Sequence, residues 1–324
     1  MRKALAAFVS LSILGVIYWQ IDLVGMGEAL AAVDWEWFAL AVAMVVPLTA
    51  MSAWRLSFLA PREAGLEFTQ SLNLTLMASV LNAILPSKLG DLARSYALVE
   101  QGHMTTANAL SLVVFEKAWD VLALSFWCAV GLVWMLLSVT DVSPLYWVVA
   151  VAIGLAILFG VMMVSSVAFA ETLFSIALNL IPGRSGEKIA ALQKAWLETL
   201  IFFWADKRNA AIIILGSLLL WLLHLCQIWL FVFALNHTVP FFDNAAMAAL
   251  SIFIGLLPFT LAGIGTRDAA LIFFYQPYLA APAAAALGLF CTLRYLLPAL
   301  IGLPFLGQYL ATAKRIKQVY DPEG

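Results

Sequence analysis

Two of this chain's eight long apolar segments are broken in the middle, and that feature constrains its fold more than any other. The first break is LNAILPSKLGDLAR, residues 81–94, where an apolar run climbing from Leu66 meets Pro86 and Gly90 and carries Lys88, Asp91 and Arg94. The second is LLPFTLAGIGTRDAAL, residues 256–271, with Pro258, Gly263, Gly265, Arg267 and Asp268. With 64% hydrophobic and 11% charged residues, no soluble core could absorb the apolar surface, so the chain reads as an all-α polytopic membrane protein. In a bilayer, broken backbone is tolerated only where protein buries it or where it lines a watery cavity. Breaks in corresponding halves point to a translocation site between them.

Charge sets the expected topology. Arg2 and Lys3 precede an apolar run at 4–21, and the loop after it carries Asp22, Glu28, Asp34 and Glu36 without a Lys or Arg, so the amino terminus is expected in the cytoplasm. That run is expected to stay as an uncleaved first helix, because the small-x-small pattern at 29–31 lies too far beyond it. Further spans are expected at 37–59, 105–139, 145–164, 210–235 and 283–310, with Arg55 and Arg62 marking a cytoplasmic end. If residues 66–85 spanned fully, Lys88 and Arg94 would lie outside; a re-entrant hairpin removes the conflict, and the segment 245–275 follows the same logic. Between them, 165–208 is expected in the cytoplasmic interface. Its helix after IPGRSG puts Glu187, Lys188, Ala191, Lys194 and Glu198 on one face and Leu192, Trp196, Leu200 and Phe203 on another.

The expected architecture is therefore one domain, 1–324, in the cytoplasmic membrane, with about six full spans, two re-entrant hairpins and both termini on the cytoplasmic side. Span, hairpin, span occurs at 37–139 and again, inverted, at 210–310. A faint echo accompanies the repeat: Leu85-Pro86-x-x-Leu89-Gly90 against Leu257-Pro258-x-x-Leu261-Ala262, each followed by an Asp and an Arg. The hairpin tips, 86–90 and 258–265, are expected to approach each other near the midplane.

Charges at membrane depth cost about 2.5–3.5 kcal/mol each on insertion scales, so they are rarely incidental. Glu116 and Asp120 stand one turn apart on a single helix with Lys117 beside them, and Arg294 lies about ten residues into the last span. Two readings of these groups stay open: an ion-pair cluster that locks helix to hairpin, or a polar cavity whose charges pair with Arg94 or Arg267. The prolines and glycines divide the same way, either ending helices or exposing amides that could hold a phosphate beside a guanidinium.

At these positions the chain resembles the lysylphosphatidylglycerol synthase transmembrane region, a flippase-like family, over nearly its whole length. The resemblance rests on LNAILPSKLGDLARSYAL, FEKAWD and LPFTLAGIGTRDAAL. It implies a lipid-translocating domain and carries the family's motif positions onto Asn82, Pro86, Gly90, Asp91 and Arg94; onto Glu116, Lys117 and Asp120; and onto Pro258, Gly263, Gly265, Arg267 and Asp268. The chain departs from the family at Ala262, where a glycine pair is usual, at Asp268, where Glu is usual, and at Lys88 and Lys117, where Arg is common. The lysines keep the charge and lose the bidentate fork. No aminoacyl transferase domain follows before Gly324, so the chain is not expected to make lysyl lipid itself.

The expected substrate-binding set is Asn82, Lys88, Asp91, Arg94, Glu116, Lys117, Asp120, Arg267, Asp268 and Arg294, acting on an anionic or isoprenoid-type lipid. Two alternatives remain: a membrane-embedded transferase using Asp91 or Glu116 as base, and a small-solute transporter. No nucleophile-base pair stands out, so catalysis is not expected. Cys128, Cys226 and Cys291 lie singly in apolar runs and His103, His224 and His237 are scattered, so no metal, and no cofactor, is implied. The net charge of -2 gives no reason to expect nucleic acid. Partners compatible with such a chain are the membrane lipid itself, a second copy of the chain and a separate lipid-modifying enzyme.

Overall fold

The computed structural model describes residues 22–61, 64–84, 89–100, 104–138, 144–180, 184–256 and 265–320. Among them the chain is helical with no strand. The helices are α1 (Leu23–Ala31), α2 (Trp35–Ala43), α3 (Val45–Leu59), α4 (Phe68–Ile84), α5 (Leu89–Glu100), α6 (Thr106–Ser138) and α7 (Pro144–Ser165). They continue with α8 (Val167–Leu180), α9 (Arg184–Ala205), α10 (Lys207–Ala234), α11 (Phe241–Gly255), α12 (Thr266–Tyr275) and α13 (Ala281–Tyr320). Among the described residues, five stretches are long and apolar enough to cross a membrane: Trp35–Leu59, Thr106–Leu137, Trp147–Ser165, Lys207–Ala234 and Ala281–Phe305. They fall where spans are expected from sequence; the run at 4–21 lies outside the described residues.

Local chemistry explains the boundaries. Asp34 caps α2, its carboxylate accepting from the backbone N–H groups of Glu36 and Trp37 at 2.9 and 3.3 Å, as orphan amides at a helix start require. The turn at Met44 separates α2 from α3, and Pro47 accounts for it, since proline has no N–H to give the carbonyl of Ala43. Helix α7 exposes apolar side chains around much of its circumference, including Trp147, Val151, Leu155 and Phe159. Such a helix is compatible with lipid and not with water.

The chain forms two compact units. One comprises Met1–Leu48, Ala118–Met162 and Ile214–Arg294; the other comprises Thr49–Lys117, Met163–Ile213 and Tyr295–Gly324. Each holds one helical hairpin: α11 packs on α12 in the first unit and α4 on α5 in the second. The second arms are short, 12 residues in α5 and 10 in α12, or roughly 18 and 15 Å against a hydrocarbon core of about 30 Å.

In the first unit the core is built from Leu225, Ile228 and Phe231 of α10 with Ala248 of α11, Leu271 of α12 and Leu287 of α13. Two of its buried polar residues match each other: Tyr275 donates to Asn244 Oδ1 at 2.7 Å, and Asn244 donates to the carbonyl of Leu225 at 3.2 Å. In the second unit, α8 packs on α9. The apolar face expected on α9 turns onto protein, with Phe115 of α6 packing its ring against Trp196 and Phe203, and Trp204 donating to the carbonyl of Val164 at 2.7 Å.

Small residues let these helices approach closely, as is common in membrane bundles. A Cβ at Gly131 would lie 2.5 Å from Ala246 Cα in the first unit, and one at Gly302 would lie 2.5 Å from the carbonyl oxygen of Leu76 in the second. Both obstacles are backbone or backbone-proximal and cannot swing aside. Gly131→Ala and Gly302→Ala are each expected to destabilise the protein by about 1–3 kcal/mol. Gly154→Ala, where nothing lies within 4 Å, should leave the thermal midpoint in detergent unchanged. Three equal midpoints would contradict the packing described.

Candidate functional site

In the unit containing Thr49–Lys117, three helices deliver charge to one place. Arg55 of α3 donates from Nη2 to Glu116 Oε1 at 3.1 Å, and Arg94 of α5 donates from Nη2 to Glu116 Oε2. All three side chains are about 2% exposed, so one buried carboxylate is shared by two buried guanidinium groups. Arg94 Nε makes no hydrogen bond. One residue along, Lys117 reaches Asp91 Oδ2 at 3.2 Å, and this outer pair is wetter, with Lys117 39% exposed.

The local sequence explains the geometry. Asp91 and Arg94 are three apart on α5 and so share a face. The hairpin holds that face in place through Gly90, where a Cβ would lie 2.5 Å from the carbonyl oxygen of Ala78 and from the backbone nitrogen of Asn82. Asn82 is half-buried against this contact, and its Oδ1 accepts no hydrogen bond. Asp120, one turn beyond Glu116 on α6, is half-buried and belongs to the other unit.

In that other unit, Gly265 opens α12 with φ +100°, a left-handed value that favours glycine. Asp268 then works twice. Its Oδ2 accepts from the Gly265 N–H at 3.0 Å, closing the helix start, while its Oδ1 accepts from Arg267 Nε and Nη2 at 3.0 and 2.6 Å. Arg267 also donates to Thr292 Oγ1 at 2.7 Å and to the carbonyls of Gly288 and Cys291 at 3.2 and 3.4 Å, so its guanidinium ties α12 to α13. Arg294 is buried as well. Its Nη1 donates to Gln227 Oε1 at 3.4 Å and lies 3.5 Å from His224 Nδ1, while Gln227 donates to the carbonyl of Ala41 at 2.9 Å.

The expected site residues therefore fall into groups. Asp91, Arg94, Glu116 and Lys117 come together with Asn82 close by on the hairpin; in the other unit Arg267 pairs with Asp268, and Arg294 reaches His224 and Gln227 instead. Lys88, Pro86, Pro258 and Gly263 lie outside the described residues, and with them the expectation that the hairpin tips meet. Sequence reasoning missed Arg55 as a site residue: used there only to mark a cytoplasmic end, it is buried on Glu116. Its position inside the helix of the span, four residues before Leu59, was the available signal. Gln227, His224 and Thr292 were not singled out as site residues because uncharged polar side chains in an apolar run carry little weight by themselves.

Fold and site together define an all-α multi-pass membrane protein with ion pairs buried inside its helices. The family model of the lysylphosphatidylglycerol synthase TM region matches residues 3–302, nearly the whole chain, and the chain belongs to that family. A comparison with curated proteins returned no match.

The triad makes asymmetric mutational effects. Glu116→Gln removes the one carboxylate that both arginines share and is expected to cost about 3–5 kcal/mol, the usual penalty for breaking a buried pair. Arg94→Gln leaves Arg55 on Glu116 and should cost clearly less. Thermal midpoints of the two variants in the same detergent check this; equal losses would contradict the shared-carboxylate arrangement.

Proposed function

We propose that this protein translocates lipid, moving an anionic or isoprenoid-type lipid across the cytoplasmic membrane, with both termini cytoplasmic. The observation that carries the reading is the buried triad of Arg55, Glu116 and Arg94, in which Arg94 keeps an N–H without an acceptor. A buried guanidinium needs a carboxylate or a phosphate, and losing its partner outright costs several kcal/mol. Because Glu116 holds two arginines, Arg94 can turn to a lipid phosphate while Glu116 keeps Arg55. Neither charge is then left bare, and the same exchange in reverse releases the lipid. Arginine suits the task because its planar fork matches phosphate oxygens.

The family assignment supports a lipid substrate, and the second arms of both hairpins, too short to cross a bilayer, support re-entrance. Arg267 carries less of the reading, since α13 and Asp268 already accept from its donors. Lys117, partly open and paired with the buried Asp91, is placed to meet a headgroup on its way in or out. The reading is transport and not catalysis: the carboxylates of the triad and of the outer pair are engaged by cations, which does not suit a general base at either Asp91 or Glu116.

The test is leaflet exchange of a labelled anionic phospholipid in vesicles containing the purified protein, expressed per folded molecule. Arg94→Gln is expected to fold and to lose at least about tenfold in rate, equivalent to ~1.4 kcal/mol in the barrier. An unchanged specific rate would remove Arg94 from the site and leave the triad as scaffolding. Conversion of the labelled lipid, or uptake of a small solute without lipid movement, would replace transport of lipid by one of the alternative activities.

A further inference from the structure

Away from both ion-pair clusters, α6 carries an apolar groove. Phe126, Ala129, Val133 and Leu137 follow one another at three- and four-residue steps, one face of the helix, over roughly 16 Å at 1.5 Å per residue. Trp134 and Phe242 of α11 complete a cavity of about 380 Å³ lined by apolar surface alone. Its size is within the range of small-ligand sites, roughly 300–1,000 Å³.

The groove adjoins a carboxylate. Trp134, whose ring packs on Phe242 with centroids 4.9 Å apart, donates its indole N–H to Asp243 Oδ1 at 2.8 Å. Tyr278 donates its hydroxyl to Asp243 Oδ2 at 2.7 Å. That bond pushes the Tyr278 phenol up to about 12, with partial burial and the neighbouring negative charge adding to it, so the tyrosine remains a donor at neutral pH. Both partners of the carboxylate are thus neutral. No salt bridge among the described residues reaches Asp243, and the segments 138–147, 236–244 and 275–281 hold no Lys or Arg. What the protein supplies here is one negative charge, edged by aromatic rings, at the side of an apolar trough.

We propose that this is a binding site for one phospholipid with a primary ammonium headgroup, its acyl chain in the α6 groove and its ammonium on Asp243 beside Trp134 and Tyr278. The charge selects the occupant: an anionic headgroup would be repelled by Asp243, whereas an ammonium gains a carboxylate. A free amine would leave the groove empty, so a single lipid answers both features. The proposal goes beyond translocation at the triad and stands whether or not that reading holds.

The experiment uses the full-length purified protein in detergent, titrated with phosphatidylethanolamine or with phosphatidylglycerol of the same acyl chains, reading the thermal midpoint and the bound lipid by native mass spectrometry. Ligand binding to the folded state raises the midpoint with ligand concentration. Measured in Arg94→Gln, so that an anionic lipid at the triad adds no shift of its own, the ethanolamine lipid is expected to raise it and to remain bound as one molecule, and the glycerol lipid is not. Asp243→Asn should abolish the difference between the lipids. Ala129→Phe, which fills the groove and leaves the carboxylate untouched, should abolish it independently, so the proposal stays testable if Asp243→Asn fails to fold. Equal shifts with both lipids, no shift with either, or an ethanolamine-specific shift that survives in a folded variant would each overturn it. So would a dimer that Ala129→Phe dissolves with no lipid-dependent shift, which would give the groove to a second copy of the chain.

Discussion

A carboxylate buried between two guanidinium groups persists only while the backbone holds all three together, and the unit around Glu116 is organised to do that. Arg55, Arg94 and Glu116 come from three helices, so α3, α5 and α6 must converge for the charges to pay for one another's desolvation. The hairpin supplies α5 at the right distance through Gly90, whose missing side chain lets α5 close on α4. Helix α9 braces α6 from another direction through Phe115, Trp196 and Phe203, and Ser111 and Thr199 meet at 2.9 Å in the same contact. Packing here serves electrostatics as much as burial.

The unit around Arg267 solves the same problem differently. Asp268 is at once a helix cap and a counter-ion, and the remaining donors of Arg267 find acceptors on α13, where Gly288 leaves room for the carboxylate at 3.1 Å from its would-be Cβ. A guanidinium so fully engaged is a fastener between helices. Arg94 shares its carboxylate and keeps a spare N–H. The contrast separates the two arginines: one holds a hairpin to its neighbour, and the other keeps the N–H that the proposed exchange of partners calls on.

Much of this was legible in the chain because membranes impose simple rules. Apolar length marked the spans, and the cost of intramembrane charge required Arg94 and Arg267 to have carboxylates, which are Glu116 and Asp268. Other features were not legible, for physical reasons. A basic residue near a helix end, such as Arg55, can serve the positive-inside rule or an ion pair, and sequence cannot say which. Gly131 and Gly302 sit in apolar runs where any small residue is plausible; only the approach of Ala246 and of the Leu76 carbonyl shows why they are glycines. Gln227 and Thr292 bond to groups far away in sequence, Ala41 and Arg267, and no local pattern announces such partners. The Asp243 cluster draws on residues from three separate stretches, and only the fold assembles it.

The account stands or falls on whether a lipid phosphate reaches the buried arginine. Solid-state NMR can measure this directly in bilayers of an anionic phospholipid, by the dephasing that lipid phosphorus imposes on an isotope-labelled arginine guanidinium, with the Arg94 signal assigned by its loss in Arg94→Lys. The account predicts phosphorus within contact distance of the Arg94 guanidinium in a fraction of molecules that rises with the content of anionic lipid. Dephasing confined to exposed arginines, with none at Arg94 at any lipid content, would contradict it.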